Sequence, residues 1–285
     1  MASHNFLHIL LLLCSLMVIN TGCTAEAPPT VEAAYYPSFS PDFPPSAINT
    51  SFFTHIFYAF LVPNNVTFKF DLSNSTALLL SNFTTTLRHK TPPVKTLLSI
   101  GGAADGVVAR KFGFDGLDLD WEFLQSPKEM KDLSHLLKEW HHELKESKST
   151  ARPPLLLTAA VYFSADFFLD AVPRSYPASS LKKYLDWINP MCYDYKGAWS
   201  NTTGPNAALW NPFSNVNSIY GLKSWIKAGI HPAKLVMGLA LYGRSWELQN
   251  PKNHGFGATD IGPGPGAGML FYHQVELLLN QKGQL

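Results

Sequence analysis

Three carboxylates at alternate positions, Asp118, Asp120 and Glu122, stand in the segment Asp115-Gly-Leu-Asp-Leu-Asp-Trp-Glu122. In an extended strand successive side chains point to opposite faces, so these three share one face and Leu117, Leu119 and Trp121 share the other. Apolar runs flank the segment on both sides, which favours a strand inside a sheet over a solvated edge with one acidic face. Unpaired charge is costly to bury, so three inward carboxylates do not make a core. Crowded carboxylates do not all ionise freely, and one keeps its proton to higher pH. Such a group can protonate a leaving group near neutrality. Glu122, last on the strand, is the expected donor. Asp118 and Asp120 lie behind it and can exchange a proton between them.

The elements that must hold these acids are short β-rich runs alternating with helical patterns, the arrangement of βα units on a parallel sheet. Strands are expected at Val31–Tyr36, His55–Leu61, Val94–Ile100, Gly116–Glu122, Leu155–Val161, Ile188–Tyr195 and Leu235–Leu241. With about 260 residues beyond position 25, the expected fold is α/β, a (β/α)8 barrel of the TIM type, whose usual size is about 250 residues. Seven strands are recognisable and an eighth is not, so the barrel reads as incomplete. The link between the third and fourth strands, Ala103–Gly113, leaves room for at most two helical turns. A longer helix is expected after Ser126-Pro-Lys-Glu129, a capping box with proline at the first helical position. Met130, Leu133, Leu137, Trp140 and Leu144 then recur at helical spacing as a face packed on the sheet. His135, Glu139 and His142 fall on the polar face of that helix and read as solvated rather than as metal ligands. Gly262–Gly268 reads as a surface loop and not a phosphate cradle, because no strand leads into it and its prolines remove donors.

Composition narrows the remaining classes. The chain has 285 residues, a formal net charge of +1 and 46% hydrophobic content. It carries no basic stripe, and no nucleic-acid partner is expected. Seven Trp and eleven Tyr permit sugar stacking without requiring it. The apolar run from Phe6 to Ile19 is too short for a mature membrane span and precedes small residues, so residues 1–25 read as a secretory signal, with no membrane anchor. Its removal would take Cys14 and Cys23 and leave Cys192, in apolar surroundings, as a buried structural thiol. Sequons at Asn49, Asn65, Asn74, Asn82 and Asn201 mark candidate glycan sites on surface loops, four of them clustered over one face. The expected layout is a leader over 1–25, a barrel over 26–248 and part of an inserted domain over 249–285.

Asp115-x-x-Asp-x-Asp-x-Glu122 resembles the signature of family 18 glycoside hydrolases, and the flanking text resembles the plant class V chitinases. Ala34-Tyr-Tyr, Ser99-Ile-Gly-Gly, Met191-Cys-Tyr-Asp-Tyr195 and Leu241-Tyr-Gly-Arg-Ser-Trp246 follow in matching order. The resemblance implies a retaining hydrolase of chitin or N-acetylglucosamine oligosaccharides that uses the substrate's own acetamido oxygen and no cofactor or metal. It implies Glu122 as acid and base, Asp120 as the group that orients the acetamido function, Asp118 as its support and Tyr193 as a hydrogen-bond donor. Asp194, Tyr242, Arg244, Met191, Tyr36 and Phe60 become substrate-binding candidates. A monomer secreted to the apoplast, or routed to the vacuole, is expected. The eighth strand and its tryptophan, which the family carries, are not found here. Two other readings therefore stay open: a non-catalytic chitin-binding or inhibitor-like protein on the same scaffold, and an inactive truncated relative or fragment.

Overall fold

The computed structural model describes residues 30–39, 43–64, 66–67, 69–70, 72–101, 106–146 and 153–281. The expected leader and the sequon Asn65 lie outside them. Six strands form one parallel sheet: β1 (Ala33–Pro37), β2 (His55–Leu61), β3 (Lys95–Ile100), β4 (Gly116–Asp120), β5 (Leu156–Tyr162) and β8 (Trp187–Met191), neighbours in that order. The sheet curls as a half-barrel, with the strands in the order of a TIM-type fold. A hairpin of β6 (Asp166–Leu169) and β7 (Val172–Ser175) interrupts the passage from β5 to β8.

Helices cover the outer face. They are α1 (Asn74–Arg88), α2 (Gly106–Phe112), α3 (Pro127–Glu146), α4 (Ala178–Tyr184) and α5 (Ser218–Lys227). The seven residues of α2 fill the short β3–β4 link as its length requires. Ser126 caps α3 by accepting from the Glu129 N–H at 3.2 Å, and the Glu129 carboxylate turns back to the Gln125 N–H, one residue before the position a standard capping box would use. Leu117 and Leu119 of β4 are buried with Phe83 and Leu87 of α1 and with Met130, Leu133, Leu137 and Trp140 of α3. Inside the curl, Phe57, Leu97 and Trp187 form a separate apolar plug. The acidic face of β4 therefore looks into the curl and its leucines look out, as the alternation demands.

Three strand expectations change. β4 ends at Asp120, so Glu122 sits in the turn beyond it. β8 ends at Met191, which leaves Tyr193 and Asp194 on the following loop. Leu235–Leu241 is not a regular strand. It runs beside β8 with one bridge, Leu235 to Ile188, and with the N–H groups of Val236 and Gly238 donating to the carbonyls of Ile188 and Pro190. Pro190 has no N–H to return the bond at its level, and this interrupts the ladder.

Beyond that segment the pairing turns antiparallel. β9 (Tyr242–Arg244) pairs with β12 (Met269–Phe271), β10 (Trp246–Leu248) pairs with β11 (Asp260–Pro263), and α6 (Tyr272–Gln281) follows. This small unit begins at Tyr242, before the expected boundary at 248. The glycine-rich stretch is not a plain surface loop: it supplies the end of β11 and a short 3-10 turn that enters β12.

Gly116 opens β4 against β5, where an added Cβ would stand 2.7 Å from both the Leu156 carbonyl and its Cβ. Gly116→Ala should cost about 1–3 kcal/mol through backbone displacement. Urea unfolding of the variant measures this, and an unchanged midpoint would contradict it.

Candidate active site

Asp118 is fully buried, 0% exposed, at the centre of the sheet. Its Oδ2 accepts from Tyr35 Oη at 3.0 Å and Ser99 Oγ at 2.8 Å, and its Oδ1 accepts from Thr158 Oγ1 at 2.5 Å and Asn189 Nδ2 at 3.4 Å. These donors come from β1, β3, β5 and β8. Strand register delivers two of them, because Ser99 and Thr158 are the direct partners of Asp118 on either side. Burial raises the Asp118 pKa, and the four hydrogen bonds oppose that rise.

Asp120 stands one pleat higher. Its Oδ1 is buried with no hydrogen-bond partner among the described residues. Burial first, then the charges of Asp118 and Glu122, push its pKa up to about 8. The group therefore carries a proton at neutral pH. Glu122 opens onto solvent in the turn above. Partial desolvation by the surrounding wall, then the Asp194 charge, raise its pKa as well. Tyr193 borders the same space. Burial and the charges of Asp120, Glu122 and Asp194 keep its hydroxyl protonated well beyond the usual phenol range. Gly238 makes room for it, since a Cβ there would meet the Tyr193 ring at 3.0 Å.

The opposite wall is tied together through Asp194. Its Oδ2 accepts from Tyr242 Oη at 2.8 Å, and its Oδ1 accepts from Arg244 Nε at 2.9 Å and Nη2 at 2.5 Å. Arg244 also lies over Trp199 at 4.8 Å and over Tyr242 at 5.2 Å. The Tyr193 and Tyr242 rings meet edge to face at 6.0 Å. Asp194 has φ +58°, which turns its carboxylate back toward β9, and Asn206 Oδ1 accepts its N–H. Phe60, 38% exposed, leans on Tyr35 with ring centres 6.5 Å apart. Met191 is buried at the end of β8, on the face it shares with Asn189.

Tyr36 is a correction. It points outward, packs on Phe83 and Tyr58, and donates to the Phe43 carbonyl at 2.8 Å. Its neighbour Tyr35 faces the acids instead, because a one-residue step along a strand reverses the face. Ser99, Thr158, Asn189 and Asn206 are also absent from the sequence-based list. A usable signal existed for the first three: each is a polar residue within an apolar strand. Asn49, Asn74, Asn82 and Asn201 are exposed, although Asn74 and Asn82 lie on α1 rather than on loops. Cys192 is a free, fully buried thiol.

A model of the Glycosyl hydrolases family 18 matches residues 32–282. The chain belongs to glycoside hydrolase family 18. It is 48% identical over 266 residues to Nod factor hydrolase protein 1 of Medicago truncatula, covering 83% of this chain and 69% of that relative. It is 47% identical over 260 residues to the class V chitinase CHIT5b of the same plant, again covering 83% and 69%. A family 18 chitinase from Cycas revoluta, solved in complex with allosamidin, superposes with a TM-score of 0.82 at 36% identity, over 88% of this chain and 80% of that one. As a glycosidase the protein needs a proton donor at the bond to be cleaved. Its cleft offers a graded series of acids: Asp118 fully bonded, Asp120 protonated and Glu122 open to solvent.

The Asp120 proton has a thermodynamic signature. Folded, the group holds its proton to about pH 8, against a reference value of 3.8. Between those values the unfolded chain binds fewer protons, so stability falls as pH rises through the window. Asp120→Asn should flatten that decline between about pH 4 and pH 8. Urea melts at stepped pH read the slope, and an unchanged slope would show that Asp120 is not the group responsible.

Proposed function

We propose that this family 18 hydrolase cleaves β-1,4 linkages between N-acetylglucosamine residues in chitin and its oligosaccharides, with retention of configuration and with the substrate's own acetamido oxygen as nucleophile. The observation that carries the reading is the position of Asp120, behind Glu122 on the acidic face with its Oδ1 buried and without a hydrogen-bond partner among the described residues. A retaining glycosidase of the common kind places an ionised carboxylate against the anomeric carbon. Asp120 is buried beneath Glu122 and protonated at neutral pH, so it is suited to donate a hydrogen bond and not to attack.

In this scheme Glu122 gives its proton to the glycosidic oxygen as the C1–O bond breaks. The acetamido oxygen bonds to C1, and as the oxazolinium charge develops the proton of Asp120 passes to Asp118 behind it, so that an ionised Asp120 meets the cation. Tyr193 donates its hydroxyl to the acetamido oxygen and holds it in line. Glu122, now ionised, takes a proton from water, the water oxygen attacks C1, and the ring opens to restore the acetamide. Asp194, Tyr242 and Arg244 line the facing wall with hydrogen-bonding groups at the height of Tyr193. The names of the relatives, chitinases among them, agree with a chitin-type substrate. We also propose secretion, with glycans on the exposed sequons. The apolar run from Phe6 to Ile19 and the exposure of Asn49, Asn74, Asn82 and Asn201 support this.

Glu122→Gln should reduce hydrolysis of N-acetylglucosamine tetramer by at least about 10³-fold, in keeping with the loss of a general acid, while leaving tetramer binding within a few fold. Product release is followed by chromatography and binding by calorimetry. NMR of the wild-type reaction should show the β anomer first. Equal turnover in the variant removes the role given to Glu122, and an initial α anomer removes the acetamido route. Binding by the wild type with no product would assign the protein to the non-catalytic reading.

A further inference from the structure

In the pairing of β5 with β4, every second N–H of β5 reaches for a β4 carbonyl. Leu156 donates to the Asp115 carbonyl at 2.9 Å, and the register runs on unbroken from Gly116–Leu156 to Asp120–Ala160. The next amide in that series belongs to Tyr162 and the next carbonyl to Trp121. The Tyr162 N–H donates instead to Tyr176 Oη at 3.2 Å. A side chain from outside the sheet therefore stands where β4 would have continued, one residue before Glu122.

The surroundings of Tyr176 keep it in that place. It is buried, with its ring centre 5.7 Å from that of Phe167 on β6 and 5.2 Å from that of Trp225 on α5. Its own N–H donates to the Ala165 carbonyl at 2.9 Å. Burial keeps the hydroxyl protonated at neutral pH, and the charges of Asp120 and Glu122 add to that, so the phenol lies within the field of the acids. The same hairpin holds the turn beyond β4 at two further points. Arg174 of β7 donates from Nη2 to the Gln125 carbonyl at 3.2 Å. The Tyr162 ring stacks on Phe167 at 4.3 Å and meets the Phe123 ring edge to face at 5.2 Å. Glu122 thus follows the residue whose ladder bond is replaced and precedes two that are fastened.

On the reading of Glu122 as the acid of the hydrolysis described above, we propose that Tyr176 is a positioning residue for it: by accepting the Tyr162 N–H in place of the Trp121 carbonyl, Tyr176 ends β4 and fixes the turn that carries Glu122 away from Asp120. Without the phenol oxygen the Tyr162 N–H needs another partner, and the register offers it the Trp121 carbonyl. β4 then gains a pair. Glu122 returns to the pleat above Asp120, two residues and about 6.6 Å along the same face. There the carboxyl is more sheltered and closer to a second acid, which raises its pKa, and it is drawn back from the glycosidic oxygen.

Tyr176→Phe is the test, because it deletes one oxygen and keeps the ring against Phe167 and Trp225. Ser224→Ala is the control. It deletes the α5 hydroxyl that takes the Ala165 N–H at 2.9 Å at the entry to the same hairpin, and the bonds of that hydroxyl run to Ala165 and to Gly221 of its own helix, not to the β4–β5 ladder. Both variants should fold, with the melting temperature as the check. In Y176F, kcat on N-acetylglucosamine tetramer should fall by at least about tenfold with KM held within about twofold. The Glu122 carboxyl, assigned by 13C NMR through its loss in E122Q, should titrate at higher pH in Y176F than in the wild type. S224A should keep the wild-type kcat and the wild-type titration. A Glu122 titration in Y176F equal to that of the wild type overturns the inference, as does the same shift in S224A, or a Y176F kcat within about twofold of an active wild type. A wild type without turnover removes the hydrolytic reading, and the NMR comparison alone then decides the place of Tyr176.

Discussion

A carboxylate with no access to water has to find its hydrogen bonds inside the protein, and Asp118 finds four from four different strands. Removing a partner from such a group leaves a buried acceptor unsatisfied, at a cost of about 1–3 kcal/mol or more for a charged one. The interior positions of β1, β3, β5 and β8 are therefore tied to one another through a single side chain. A slip of one residue in any of these strands would turn its donor outward. The apolar plug of Phe57, Leu97 and Trp187 fills the space that this network does not occupy. Packing drives the curl of the sheet, and Asp118 sets its register.

The same anchoring explains the acid series. Asp118 is fully bonded, so Asp120 meets a neighbour whose hydrogen-bonding capacity is already taken up, and it is itself largely cut off from solvent. Both effects favour its neutral form. Glu122 escapes most of this because β4 ends before it. The end of the strand thus separates two chemically equal carboxyl groups into one that retains its proton and one exposed to the cleft. That division suits acid catalysis with an internal nucleophile from the substrate better than a pair of ionised carboxylates would.

Much of this architecture was legible in the residues. Alternation in Asp118-Leu-Asp120 gave the inward acids and outward leucines, and the Met130 to Leu144 spacing gave the buried face of α3. What escaped depended on partners far along the chain. Tyr35 and Tyr36 are adjacent aromatics, and β1 is too short for alternation alone to show which of them faces in. Only the register against β2 decides it. Ser99, Thr158 and Asn189 lie within apolar strands, and their meaning emerges once Asp118 is seen to be buried among them. A β-rich composition in Leu235–Leu241 predicts a strand but says nothing of its neighbour, and the interruption comes from Pro190 on that neighbour. The antiparallel unit starting at Tyr242 was obscured by glycines and prolines that read as loop.

Pro190 has one more consequence, for local unfolding. The segment from Leu235 onward leads directly into the wall that carries Tyr242 and Arg244. Its attachment to β8 beyond the Leu235 bridge consists of two amides that donate one way, from Val236 and Gly238, with no return bond at the proline. A seam with part of its stitching omitted opens at lower free energy than a complete ladder. The sheet from β1 to β8 need not loosen when it does. Asp194 adds a clasp on Tyr242 and Arg244 that lies at solvent, alongside the Asn206 bond to Tyr242 and the Thr202–Thr259 bridge. Ionic strength, acting on that clasp, is then a natural control on how readily the far wall gives way, and so on how easily a long polymer could be threaded in or a product shed.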